Sequence, residues 1–173
     1  MELAAIIGDY RDFLQRLLAE TRAAGIDLAD CVQLDHIGYS TTSLEAYEQK
    51  KTELATVATL LAEPTVGGRP LTVFRLHEPI IFDGWRVDCC EITAPKPETT
   101  GPDGLNHGEF VIFDDLDTFA EKYKGIQFDL RSINREINPE LNLQLPSVKV
   151  KFHILSIASV AYFRKKLNLM NVK

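Results

Sequence analysis

The sequence predicts an α+β domain in which two strand–helix–three-strand (βαβββ) units form one cupped, mixed sheet. Each half of the chain reads as a strand, a short helix and further strands. A histidine opens each half, His36 after Leu34-Asp35 and His107 after Leu105-Asn106. The halves are separated by a stretch rich in proline and glycine, residues 95–104, which cannot continue a strand or helix. A repeat that brings a metal-type ligand to the same place in each copy predicts two half-domains meeting around one ion.

An added N-terminal helix is predicted within residues 1–27, before the repeat. Its apolar residues recur at helical spacing between charged ones, and Gly25 is a natural stop. We expect this helix to pack on its own domain, although a partner-binding helix would show the same pattern.

The first unit is predicted over residues 32–95. Its helix is expected to begin at a capping box, with Thr42 as N-cap and Glu45 three residues later. The dipeptide Asp83-Gly84 predicts a tight hairpin between the last two strands. The strands are expected over residues 32–40, 57–66, 71–82 and 85–93.

The second unit is predicted over residues 105–155 and repeats this order. Asp114-Asp115 is expected to cap its helix. The strands are expected over residues 107–113, 126–133, 141–145 and 148–154. A closing helix is expected within residues 156–173, so that residues 1–173 would form a single domain.

Composition narrows the class of protein. The formal net charge of −6 over 173 residues argues against nucleic-acid binding, which normally needs a basic surface. No segment is apolar over the length that spans a membrane, and the N-terminus lacks the features of a secretory leader. Cys31, Cys89 and Cys90 are expected to be free thiols in a reducing compartment, because this set is poor material for a disulfide framework. We therefore predict a cytoplasmic protein with a small-molecule partner, either a monomer or a homodimer.

Three predicted strands present a histidine beside another polar residue and opposite an apolar face, since side chains alternate across a strand. The pairs are His153 with Lys151, His107 with Glu109, and His77 with Arg75. A curved sheet with a polar concave side is typical of this pattern. A single strand histidine is more often a hydrogen-bonded structural residue. The repeat is therefore the reason to favour His36 and His107 as ligands.

Glu91 lies among apolar neighbours at the end of a predicted strand, where a carboxylate is unfavourable unless it is paired or binds a cation. The predicted metal ligands are His36, Glu91, His107 and His153. Three neutral imidazoles and one carboxylate suit a divalent ion such as Zn²⁺, Ni²⁺, Mn²⁺ or Fe²⁺. Glu109 is the candidate catalytic residue for proton transfer, with a ligand or a solvated role as alternatives. Arg75, His77 and Lys151 are candidates for binding an anionic substrate group, although Arg75 and Lys151 could also be surface charges.

Several short motifs resemble, in order and spacing, those of the YecM-like proteins, over most of the chain from about residue 34 to 160. They are Val32–Tyr39, Phe74–Pro79, Glu91 before Pro95, His107-Gly108-Glu109, and Lys151-Phe152-His153 followed by Ser156-Ile157. These proteins resemble the vicinal oxygen chelate superfamily, with glyoxalase I and the extradiol dioxygenases. The resemblance implies paired βαβββ modules cupped around a metal, with ligands on the first and last strands of each module. Relatives often carry glutamate at the last position, and His153 departs from that pattern.

The resemblance implies a metal-dependent enzyme that acts on a small, oxygen-rich metabolite, with an anionic group as one option. The ion would bind two neighbouring oxygens of the substrate and stabilise an enolate or oxyanion. Isomerase, lyase and ring-cleaving oxygenase chemistry all stay open, because ligand types do not decide between them. One alternative is a binding module of the same fold that holds a small molecule without turnover, with or without metal. Another is a structural or partner-binding protein whose histidines only satisfy hydrogen bonds.

Overall fold

The computed structural model describes residues 2–95 and 102–167. The helices are α1 (Leu3–Ile7), α2 (Tyr10–Ala23), α3 (Leu44–Leu54), α4 (Leu116–Lys122) and α5 (Ile157–Lys166). The strands are β1 (Cys31–Ser40), β2 (Ala58–Ala62), β3 (Thr65–Val66), β4 (Arg69–Phe82), β5 (Trp85–Thr93), β6 (Gly104–Ile112), β7 (Leu141–Gln144) and β8 (Lys149–His153). No helix in this part of the chain is long and apolar enough to cross a membrane. Most of the predicted linker and the end of the predicted closing helix lie outside the described residues.

The sheet places the two units side by side. The strand order is β2-β4-β5-β1-β6-β8-β7, and the short β3 pairs with β4. At the centre, β1 and β6 run antiparallel, and each lies parallel to the last strand of its own unit, β5 or β8. Outside these, β4 and β7 pair antiparallel with β5 and β8. The halves are therefore related by an approximate two-fold axis between β1 and β6, and the predicted α+β fold of paired modules is confirmed.

The second unit is reduced at its outer edge. The strand predicted over residues 126–133 is wrong, because this segment forms turns and makes one isolated bridge, between Asp129 and Asn142 of β7. The bridge occupies the place that β2 has in the first unit. The backbone turns away at this point because the Asp129 carboxylate accepts the Arg131 N–H at 3.0 Å, as in an Asx turn.

The helix termini also refine the prediction. The N-terminal helix is broken into α1 and α2 at Gly8, whose φ of 85° no helical residue adopts. Thr42 is not the N-cap of α3, since Ser43 accepts the Ala46 N–H at 3.0 Å and the Thr42 hydroxyl donates to Asp103. The N-cap of α4 is Asp115, as predicted. The Asp83-Gly84 hairpin is also confirmed, because both residues have positive φ.

The two faces of the sheet have different chemistry. Helices α2, α3 and α4 contribute to an apolar core on one face, together with the neighbouring rings of Phe110, Phe119 and Phe152. On the opposite face, Ile157 of α5 packs with Val73 and Cys89 in a small separate cluster. The rest of that face carries the polar residues, so the site is built on the side of the sheet away from the main core.

Candidate metal centre

Strand register gathers the polar residues into two adjacent rows across the sheet. In one row, His36 of β1 lies opposite Glu109 of β6, and Glu109 lies opposite Lys151 of β8. In the next row, Gly38 lies opposite His107. Because Glu91 of β5 also pairs with Gly38, it joins the second row. Residues that are distant in sequence therefore meet on one face through backbone pairing alone.

Three of the four predicted ligands come together with Glu109. Glu109 Oε1 lies 3.4 Å from His36 Nε2 and 3.3 Å from His107 Nε2. Glu91 Oε1 lies 3.5 Å from His107 Nε2. The ligand atoms of the four residues are buried and all lie within 4.8 Å of one another. The separations of 3.3–3.9 Å between the histidine Nε2 atoms and the carboxylate oxygens are compatible with ligands of one ion at metal–ligand distances of about 2.1 Å.

Each site histidine is oriented through its Nδ1 atom. The partners are Asp35 Oδ2 for His36 at 2.9 Å, Asn106 Oδ1 for His107 at 2.6 Å, and the Leu155 carbonyl oxygen for His153 at 2.6 Å. These oxygens accept hydrogen bonds, so each Nδ1 carries a proton and each Nε2 is the ring nitrogen that can offer a lone pair to an ion.

The three Nε2 atoms are buried and make no hydrogen bond within the described residues. Each faces carboxylate oxygens, so a lone pair at Nε2 would be unfavourable there without a cation between them, either a metal ion or a proton on the ring. Histidine ligands held by a second hydrogen bond at the other ring nitrogen are typical of metal sites. The donor set therefore fits a divalent ion.

His153 lies in a third row, outside the four-residue group. It is opposite Val111, and its Nε2 atom is 3.5 Å from Glu109 Oε2 and 3.6 Å from Asp35 Oδ2. Asp35, His36 and His153 form a second group whose ligand atoms lie within 4.8 Å of one another. His153 was predicted to bind the same ion as His36. In the structure the carboxylates that lie between these two histidines and could share an ion with them are Asp35 and Glu109.

Asp35 was not among the predicted ligands, because strand alternation places adjacent residues on opposite faces. The structure has a β-bulge between Leu34 and His36, which lets Asp35 and His36 reach the same site. A sequence signal for such a role exists. Both repeat histidines follow a short side chain with an acceptor oxygen, Asp35 in one copy and Asn106 in the other.

Gly38 is also part of the site. A Cβ atom at this position would lie 1.9 Å from His107 Cε1, so the imidazole ring occupies the space above the glycine. A glycine inside a strand often marks a close approach of this kind. That signal was present in the sequence.

The charges of the cluster support each other. Burial opposes the charged form of His36, but Glu109 and Asp35 raise its pKa well above the ordinary value. Burial also disfavours the Glu109 carboxylate, yet Lys151 and His36 hold its pKa well below the usual range. The Lys151 ammonium contacts Glu109 directly. Without an ion, protons and Lys151 supply the positive charge that these carboxylates require.

The centre opens into a cleft of about 1110 Å³ lined by Glu91, His107, Glu109 and Lys151. The cleft is also lined by Arg69, a residue that sequence analysis missed. Arg75 and His77 are exposed and do not line this cleft, and His77 Nε2 lies 3.2 Å from the Thr59 hydroxyl. Of the three predicted substrate-binding residues, the structure brings only Lys151 to the site.

Comparisons with known proteins identify relatives along nearly the whole chain. Protein YecM of Escherichia coli K12 is 25% identical over 174 residues, covering 92% of each chain. A solved structure described as "Structural Genomics, Protein EC4020" has a TM-score of 0.72 at 23% identity, covering 94% of this chain and 97% of the other. A putative dioxygenase from Bacillus subtilis has a TM-score of 0.47 at 8% identity, covering 74% and 42% of the two chains. A sequence profile of the YecM protein family matches residues 2–164, and the chain belongs to that family.

Proposed function

We propose that this protein is a divalent-metal-dependent enzyme of the vicinal oxygen chelate type, acting on a small, oxygen-rich metabolite. One observation carries the proposal: buried imidazoles on β1 and β6 direct Nε2 lone pairs at buried carboxylates beside a cleft. When bound, the ion would act as a Lewis acid that polarises substrate oxygens.

His36, Glu91 and His107 would hold the ion, with Glu109 completing the group. Asp35 and Asn106 fix the orientation of the two rings, so the ligands are arranged before binding. The centre lies on neighbouring central strands rather than on loops, which favours a rigid coordination geometry.

Proton transfer is proposed for the two carboxylates that line the cleft. Glu109 is the residue that the sequence predicts for this role. Burial opposes its ionisation, but Lys151 and His36 keep its pKa well below normal, so Glu109 is a carboxylate in the metal-free protein. The pKa of Glu91 is also lowered, with His107 overcoming the effect of burial. Both carboxylates line the cleft and stay ionised, so we propose that one of them accepts the proton while the other stays with the ion.

Arg69 is proposed to meet an anionic group of the substrate. Its guanidinium donates to the Ala94 carbonyl oxygen, and burial lowers its pKa. A partly desolvated guanidinium at the wall of the cleft is suited to bidentate binding of a carboxylate or phosphate. Lys151 also lines the cleft, but it is already paired with Glu109.

Metal analysis tests this proposal directly. Protein purified without a histidine tag should bind Zn²⁺, Ni²⁺, Mn²⁺ or Fe²⁺ stoichiometrically and gain thermal stability from the ion. His36→Ala and His107→Ala should abolish both effects. His77→Ala is the matched control, since that histidine is exposed outside the cleft, and it should change neither. A wild-type protein that binds none of these ions, with an unchanged melting temperature, would contradict the proposal.

A further inference from the structure

We infer a second cation position beside the first, formed by Asp35, His153 and Glu109. It rests on the proposed function, because Glu109 is shared with the first position. The two positions differ in their histidines, which makes them separable by experiment.

His153 provides the first reason. Its ring is fully buried, and the Leu155 carbonyl oxygen at 2.6 Å keeps the proton on Nδ1. The Nε2 lone pair therefore points into the protein, towards Glu109 Oε2 at 3.5 Å and Asp35 Oδ2 at 3.6 Å. Three electron-rich atoms face each other in a space closed to solvent, and His153 Nε2 makes no hydrogen bond within the described residues. A cation between them would remove this conflict.

Asp35 provides the second reason, because its position is fixed. Oδ2 accepts hydrogen bonds from His36 Nδ1 at 2.9 Å and from the Ile157 backbone N–H at 2.7 Å. The side chain is 1% exposed. The carboxylate is therefore held towards His153 by two separate elements, β1 through the bulge and the start of α5.

Glu109 provides the third reason, since its two oxygens face different histidines. Oε1 lies within 3.4 Å of both His36 and His107 Nε2, whereas Oε2 faces His153 Nε2. A carboxylate in this orientation can bridge two cations, which in two-metal sites lie about 3.5–4 Å apart.

Charge predicts the order of filling. With neutral imidazoles, Asp35, Glu91 and Glu109 carry three negative charges, and Lys151 returns one positive charge. One divalent ion balances this cluster, so a second ion adds positive charge in excess. We therefore expect the second ion to bind more weakly than the first, together with an anion such as hydroxide.

Manganese alone is a suitable probe, because Mn²⁺ prefers oxygen and nitrogen ligands over free thiols. Equilibrium dialysis should give two ions per wild-type chain at saturation, and electron paramagnetic resonance should show an exchange-coupled pair. His153→Gln should reduce the count from two to one and leave an uncoupled signal. Asp35→Asn should also remove the second ion, and because Asp35 orients His36 it should weaken binding of the first ion as well. Thermal unfolding verifies that each variant is folded.

His77→Gln is the matched control and should keep both ions. One uncoupled ion in the wild type at saturation would overturn the second position and leave the proposed function standing. Two ions retained by both His153→Gln and Asp35→Asn would also overturn the inference. No bound ion at all would overturn the inference and the proposed function together.

Discussion

The two units of the sheet are alike at its centre and unlike at its edges. In the first unit, the 14-residue β4 pairs with β2. In the second, the 4-residue β7 has outside it, among the residues that the structure describes, only the bridge to Asp129. The central strands pair symmetrically: His36 lies opposite Glu109, and Gly38 lies opposite His107. His36 therefore corresponds to His107, and Gly38 corresponds to Glu109. Backbone symmetry holds where the candidate ligands lie and fails where the cleft wall forms.

The last strands extend the comparison. Glu91 pairs with Gly38 on β1, and Lys151 pairs with the equivalent Glu109 on β6, so Glu91 and Lys151 correspond. The first unit has a glycine and a glutamate at the two positions where the second has a glutamate and a lysine. The carboxylate of the second unit, Glu109, thus comes from β6 rather than β8. Lys151 of β8 neutralises its charge. The same register places His153 opposite Val111, one row further along, which explains why it does not lie where Glu91 does.

Removing Lys151, which neutralises the Glu109 carboxylate, should have the largest effect on stability. Lys151→Met leaves the buried Glu109 without its ammonium partner, and we expect the free energy of unfolding of metal-free protein to fall by about 3 kcal/mol. A bound ion supplies the missing charge, so saturating Mn²⁺ should restore much of the loss. Urea unfolding with and without Mn²⁺ measures both quantities. The exposed Lys165→Met is the control, and an equal loss with and without the ion would contradict the compensating role of Lys151.

Gly38 occupies in the first unit the position that Glu109 has in the second. Gly38→Ala tests whether the space above this glycine is needed for the His107 ring. The new methyl group would meet the His107 ring at 1.9 Å, so the ring must leave its position. We expect a loss of about 1–3 kcal/mol in unfolding free energy from overpacking, and loss of stoichiometric metal. Gly104→Ala is matched, because nothing lies within 4 Å of a Cβ there. Full metal binding by Gly38→Ala at unchanged affinity would show that His107 is not a ligand.

Asn106→Ala tests how much the residue that orients His107 contributes to metal affinity. Without the Asn106 oxygen, the His107 ring loses the acceptor of its Nδ1 proton. Loss of such an orienting partner typically costs about 10–100-fold in metal affinity. Isothermal titration with Mn²⁺ measures the change, with the exposed Asn134→Ala as control. An unchanged affinity would mean that β6 alone determines the orientation of this ring.

Much of the fold followed from sequence because it depends on local patterns. Period-two alternation and the Asp83-Gly84 turn located β4 and β5, and the repeated histidines located the centre of the sheet. The irregular segment before β7 was predicted as a strand because Ile126, Phe128 and Ile133 suggested one. These side chains do pack on the core, but the backbone forms turns around them.

The site was predictable in part, and the missing part depends on strand pairing. His36, Glu91 and His107 could be proposed from position and residue type. The contribution of Asp35 depends on a bulge, and that of Gly38 depends on which residue lies across the strand pair. Neither bulges nor register can be read from one strand alone. Strand alternation predicted that Arg75 and His77 would face the site. Both lie on β4 at positions that do not line the cleft.

The helices that follow the central strands, α3 and α4, have different N-cap residues. Removing a cap should have the smallest effect on stability. Ser43→Ala removes the acceptor for the Ala46 N–H and should lower the free energy of unfolding by about 1 kcal/mol at every pH between 3 and 7. In the second unit the cap is Asp115, whose pKa is lowered by hydrogen bonds from the Thr118 N–H and hydroxyl.

A carboxyl whose pKa is lower in the folded state stabilises the protein above its unfolded pKa and loses that contribution as pH falls through the folded value. The difference in stability between wild type and Asp115→Ala should therefore be largest at neutral pH and shrink as pH falls below the ordinary value of 3.8. Urea unfolding of both variants from pH 3 to 7 compares the two caps, and salt should weaken only the Asp115 difference. A difference for Asp115→Ala that does not vary with pH would show that its carboxylate charge does not stabilise α4. The backbone hydrogen bond would then be the whole contribution, and the caps of the two units would be equivalent after all.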